Sequence, residues 1–73
     1  MMVYARIRQL REDRDMTQQQ MAQLLFINRR TYGSYETGER TVPPETLIRL
    51  ARIHGVSVDY LLGLTAIKTP YPR

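Results

Sequence analysis

Cysteine is absent from the 73 residues, so the chain holds neither a disulfide framework nor a thiolate metal site, and its composition suits a reducing compartment. A single histidine, His54, cannot assemble a metal site alone. No apolar run approaches the length needed to span a membrane, and Met1 to Leu10 carries two arginines without the apolar core of an export signal. A cytoplasmic protein with no membrane partner is therefore expected. No stretch alternates as a half-buried strand does, and there is no internal repeat or low-complexity tract. A phosphate-cradling glycine loop is missing, as is a carboxylate pair with a supporting histidine. No catalytic residue, cofactor, metal or small-molecule ligand is expected, and the chain reads as a binding protein rather than an enzyme. At this length one domain fits, close to the lower limit for folding on a single core.

What the chain does have is basic charge. Eleven Lys and Arg face seven Asp and Glu, for a formal net charge of +4 and a sequence pI near 10.0. Ten of the eleven are arginine, the side chain suited to bidentate contacts with phosphate and guanine. A polyanionic partner follows from the charge, but position rather than count has to identify it.

The apolar spacing and the capping residues predict an all-α protein of five helices. Helix 1 is expected over about residues 3–14, with Ile7 and Leu10 inward. Thr17 begins helix 2 as half of a capping box with Gln20, and Met21, Ala22 and Leu25 form its buried side. After the short break at Phe26 and Ile27, Asn28 caps helix 3, which ends where Gly38 supplies a left-handed exit. Pro43 and Pro44 open helix 4, whose inner stripe is Leu47, Leu50, Ala51 and His54. Gly55 stops it, Ser57 caps a last short helix carrying Val58, Leu61 and Leu62, and Gly63 closes that one. Residues 1–63 then form the domain, and 64–73, with Thr65, Pro70 and Pro72, a flexible tail.

Two helix starts and a corner within Thr17 to Glu36 make a helix-turn-helix pattern. Over about residues 5–63 the chain resembles the Cro and phage-repressor type of helix-turn-helix DNA-binding domain, the lambda-repressor-like fold. The resemblance is carried by Leu10-Arg11, Thr17-Gln18, Ala22, the series Tyr32, Tyr35, Glu36 and Gly38, then Leu47, Leu50-Ala51 and Gly55 to Gly63. It implies a compact five-helix bundle in which helix 3 enters the major groove.

It also implies roles for single residues. Arg29, Arg30 and Ser34 are expected to read bases, with Thr31 a secondary candidate able to touch a thymine methyl or to help cap the helix. The alternative for either arginine is phosphate contact alone. Gln18 at the start of helix 2 is expected on a phosphate, as are Thr37, Arg40 and Thr41 in the loop after helix 3. Asn28 reads as a cap first and a phosphate contact second. Relatives of this type pair the residues at the positions of Arg11 and Glu36, so a structural ion pair is expected there. Tyr32 and Tyr35 read as core, His54 as a packed or interface residue, and Arg6, Arg8, Arg14, Arg49 and Arg52 as cover for solvated faces.

Three departures from the family pattern stand out. Phe26 occupies a corner usually given to glycine, where a left-handed backbone is costly for a bulky residue, so a wider or extended corner is one expectation. Gly33 interrupts helix 3, at a cost of about 1 kcal/mol relative to Ala; it either lets the helix approach DNA closely or is a tolerated surface change. Leu24 and Phe26 place apolar bulk where relatives carry polar groups, either as a dimer patch or, by preference, lying over helix 1.

The function implied is a sequence-specific regulator of transcription on double-stranded DNA, with repression by a homodimer on a palindromic operator as the leading form. One such domain buries little surface on DNA, and two-fold symmetry is the usual remedy. The alternative is an antitoxin-like or antagonist module that turns the same fold toward a protein partner. The arginine doublet with Gln18 favours the first, since a protein binder would not require it.

Overall fold

Five short helices wrap one apolar centre. The structure, a computed structural model, describes residues 4–69. The helices are α1 (Ala5–Asp13), α2 (Gln18–Leu24), α3 (Arg29–Thr37), α4 (Pro44–His54) and α5 (Val58–Leu61). No strand occurs among the described residues. The predicted reach of helix 1 is trimmed at both ends. Tyr4 stands at its N-cap and Arg14 at its C-cap, and residue 3 lies outside the described span.

Local chemistry sets most of the boundaries. Thr17 accepts from the Gln20 backbone N–H while the Gln20 side chain accepts from the Thr17 N–H, completing the predicted capping box of α2. Asn28 accepts from Thr31 N–H at 2.7 Å to cap α3, and Ser57 accepts from Tyr60 N–H at 3.0 Å to cap α5. Pro43 is the N-cap of α4, with Pro44 in its first turn, where a missing N–H costs nothing. Gly38 ends α3 at φ 83°, a backbone state that other residues enter only with strain.

The core joins Ile7 of α1, Met21 and Ala22 of α2, Tyr32 of α3, Leu50 of α4 and Leu61 of α5, all essentially without solvent contact except Leu61 at 2%. Val42 and Val56 fill it from the connecting loops. Stacking α2 on α3 makes the largest helix pairing, α4 meets α5, and α1 braces both α3 and α5. One face of α3 is spent on this core through Tyr32, Tyr35 and Glu36. The opposite face is thereby turned outward.

Several expectations are corrected. Phe26 does take the left-handed state, at φ 58°, so the corner keeps the ordinary geometry without a glycine. Its ring does not lie over α1. It is 83% exposed, with the Arg49 guanidinium of α4 standing 5.5 Å from its centroid, and Leu24 is also exposed. Phe26 therefore carries the local backbone cost of a left-handed residue with a Cβ, which its exposure does not relieve.

Arg6 and Arg14 do more than cover a solvated face. Arg6 stacks 4.0 Å over the Tyr60 ring and donates to the carbonyls of Tyr60 and Thr65, 54 and 59 positions away. Arg14 donates to the Ile53 carbonyl, closing the C-terminal end of α4 against α1. Arg8 pairs with Glu12 at i,i+4 on the surface, at 3.5 Å.

The expectation of a free tail from Leu64 is modified in its described part. Leu64 N–H donates to Asp59, Ser57 N–H donates to the Lys68 carbonyl at 2.8 Å, and Arg6 holds Thr65. These bonds satisfy backbone groups that the short α5 leaves open. Residues 70–73 of the expected tail lie outside the described residues.

Candidate nucleic-acid interface

The outward face of α3 and the start of α2 enclose an open groove of about 610 Å³. Its lining contains eight of the nine residues expected on DNA: Gln18, Asn28, Arg29, Arg30, Thr31, Ser34, Thr37 and Arg40. Thr41 is exposed but stands outside it. Gly33 and Glu39 complete the lining. Glu39, exposed just past the end of α3, is thus an acid set among three arginines. Its position in the groove follows from the tight exit at Gly38, which turns the loop back along α3.

Helical spacing explains the convergence. Arg30, Ser34 and Thr37 recur at i, i+4 and i+7, and the core residues Tyr32, Tyr35 and Glu36 fall on the other side. Arg29 and Arg30 occupy the first turn and are exposed, so neither guanidinium is committed to a packing role. Ser34 Oγ donates to the Thr31 carbonyl at 2.6 Å, leaving the hydroxyl oxygen as an outward acceptor. Thr37 Oγ1 donates to the Ser34 carbonyl and receives the Glu39 N–H, while Arg40 N–H also reaches the Ser34 carbonyl at 3.2 Å. These bonds hold the loop after α3 against the helix and so fix where Arg40 departs from the backbone.

Behind the groove lies the ion pair. Arg11 Nε meets Glu36 Oε2 at 2.7 Å and a second nitrogen meets Oε1 at 3.1 Å, a fork that joins α1 to α3. A third Arg11 bond holds the Met16 carbonyl at 2.8 Å. Burial pushes the Glu36 carboxyl up, but the Arg11 and Gln18 donors and the nearby Tyr32 hydroxyl outweigh that and hold it below the usual carboxylate range. The hydrogen bond to Glu36 likewise raises the Arg11 pKa. The buried Tyr32 phenol beside the pair is pushed well above its ordinary value, by burial first and then by the adjacent Glu36 carboxylate. Both shifts of the pair favour its charged forms.

Gln18 enters the same network. Its Nε2 donates to Glu36 Oε1 at 3.1 Å, so the side chain is docked on α3 with one of its two amide hydrogens engaged. Sequence reasoning missed this bond because it joins residues 18 positions apart on two helices. His54, the last residue of α4 and no part of the groove lining, is half-buried, with both ring nitrogens lacking a hydrogen-bond partner among the described residues. Burial, with the Arg14 charge second, lowers its pKa. Among the described residues no helix is long and apolar enough to cross a membrane, and no group of His, Cys, Asp and Glu is placed to hold a metal ion.

Comparison with known proteins agrees with this geometry. A helix-turn-helix family model matches residues 7–61, most of the chain. The HTH-type transcriptional regulator YobD of Bacillus subtilis (strain 168) is 45% identical over 60 residues, covering 82% of this chain and 54% of that protein. The transcriptional repressor RstR of the cryptic phage CTXphi in Vibrio cholerae is 34% identical over 62 residues, covering 85% and 56%. The chain therefore spans about half the length of these curated relatives. Among solved structures, a transcriptional regulator from Listeria innocua superposes with a TM-score of 0.76 at 30% identity, over 96% of this chain and 64% of that one. The P22 c2 repressor, crystallised with a synthetic operator, superposes with a TM-score of 0.79 at 23% identity over 89% and 98%, and so shares the fold.

Proposed function

The chain belongs to the helix-turn-helix family of the Cro and phage-repressor type, and from that membership we propose that it binds double-stranded DNA sequence-specifically to regulate transcription. The observation that carries this reading is the groove shared by Arg29, Arg30, Ser34, Arg40, Gln18 at the start of α2 and the Asn28 cap of α3. Three guanidinium groups on one concave face offer both a field for phosphates and planar forks for guanine edges. The relatives are named as regulators and a phage repressor, not as enzymes, and nothing in the groove supplies a nucleophile with its base.

In this reading α3 lies in the major groove. Arg29 and Arg30 reach base edges from its first turn, Ser34 follows one turn on, and Thr31 sits close enough to meet a thymine methyl. Arg40, Thr37, Thr41 and Asn28 flank the helix and contact the sugar-phosphate backbone. The protein acts as a homodimer on a palindromic operator and represses, because one domain of this size buries too little DNA surface for useful affinity alone. A partner of this kind places it in the cytoplasm.

Selection of bound sites from random duplex DNA tests the whole reading. A palindromic consensus with half-site centres about 10 bp apart, or a multiple of that, is the expected result. A consensus without two-fold symmetry removes the dimer. No retained duplex at low salt removes the DNA reading and moves the fold to the antitoxin-like alternative, a protein partner.

A further inference from the structure

The Gln18 carboxamide is held by one of its two ends. Its Nε2 donates to Glu36 Oε1, and a carboxylate can only accept, so nitrogen must face Glu36 and oxygen must face away. Glu36 cannot turn to release it, because Arg11 grips both carboxylate oxygens. The amide oxygen comes to rest over Gly33. A Cβ at position 33 would stand 3.4 Å from Gln18 Oε1, and its next neighbours, at 3.9 Å, are also Gln18 atoms. Both residues line the groove beside Arg29 and Arg30.

An oxygen fixed in that place changes what Gln18 can recognise. A phosphate oxygen is an acceptor and gains nothing from that oxygen; of the two amide hydrogens one is given to Glu36, and only the other is left for a phosphate. In the major groove the donors are the exocyclic amino groups of adenine N6 and cytosine N4. We propose that Gln18 and Gly33 form one specificity element: Gln18 Oε1 accepts a hydrogen bond from an adenine or cytosine amino group, and Gly33 leaves that oxygen uncovered. Glu36 acts as the positioning residue that sets which end of the amide faces the DNA. Gly33 sits inside a helix, where alanine is the better helix former, so its presence has a cost in stability that this role offsets. The inference rests on the duplex-binding reading above, and it adds a base contact through Oε1 to the phosphate contact expected of Gln18, for which the second Nε2 hydrogen remains.

The test is a base-by-base affinity scan of the best selected site with wild type, Gly33→Ala and Gln18→Ala, with a melting curve for each. Gly33→Ala meets Gln18 at ordinary van der Waals distance and should melt at or above the wild-type midpoint, so lost binding cannot come from unfolding. Both variants should lose roughly tenfold at the same base pair, one that presents an amino group, beyond any loss that is uniform across sequences. Equal losses on the selected site and on random duplex, or no loss in either variant, overturn the assignment. A loss with Gly33→Ala alone means that the helix simply needs close approach, and overturns the acceptor role of Gln18. A wild type that shows no preference among duplexes fails earlier, at the proposed function itself, and takes this element with it.

Discussion

Arg11 and Glu36 stand 25 positions apart and meet as a two-bond fork, 2.7 and 3.1 Å, on the inner side of α3. The carboxylate is nearly enclosed, and the same oxygen that faces Arg11 also holds Gln18. One buried charge therefore ties α1, α2 and α3 together directly behind the groove.

Removing one partner of this fork leaves the other charge in a poor solvent. Glu36→Ala should lose about 3 kcal/mol, which for a domain of this size lowers the melting midpoint by about 10 °C or more. Glu39→Ala removes an exposed acid and should shift the midpoint by no more than a degree or two, about the scale of a surface change. Thermal melts of the two variants side by side check it. Equal shifts would show that the fork contributes nothing.

Stability should depend on pH in two windows. His54 has a pKa below its ordinary value, so the folded state resists protonation that the unfolded chain accepts. Stability is then complete above the ordinary histidine pKa of about 6.5 and declines as the pH falls below it. Glu36, also lowered, contributes its stabilisation in full above the ordinary carboxylate value of about 4.3, and that contribution is lost as the pH falls below it. Melting midpoints from pH 8 to 3 should show both declines, and His54→Leu should abolish the first while keeping the second. A variant with the wild-type slope between pH 7 and 5 sinks the assignment to His54.

Arg29 and Arg30 rise from the first turn of α3 with their guanidinium groups uncommitted. At least one should make a bidentate guanine contact worth about 1–3 kcal/mol of discrimination. Its replacement by Ala should relax preference at one base pair in each half-site, at both halves together. Replacement by Lys should restore charge but only part of the preference, since Lys lacks the planar fork. A uniform loss over all bases for both alanine variants would leave base reading to Ser34 and Thr31.

Arg40 leaves the loop that Thr37, Glu39 and Ser34 pin to the end of α3. As a phosphate contact it carries no sequence information, so Arg40→Ala should weaken selected and random duplex alike. The slope of log affinity against log salt should become shallower by about 0.9 for the one phosphate lost. A loss restricted to the selected site would make Arg40 a base reader instead.

The chain order alone determined the five helices and nearly all of their ends. Caps at Thr17, Asn28 and Ser57 and left-handed exits at Gly38 and Gly55 depend on hydrogen bonds and φ preferences within about four residues, and such local terms can be read directly from neighbours. Helical periodicity likewise separated the inward face of α3 from the outward one, so eight of the nine expected contacts fall on one groove. The Arg11–Glu36 pair was legible only through resemblance, because no local rule joins residues so far apart. Tertiary structure decided the rest. The Gln18 amide is turned toward Glu36, the Arg6 guanidinium is drawn onto Tyr60 and Thr65, and Phe26 is left standing in solvent. In each case the outcome depends on the angle and distance at which two helices pack. Long polar side chains reach whichever carbonyl or carboxylate that packing brings near, and the sequence holds no record of which one it is.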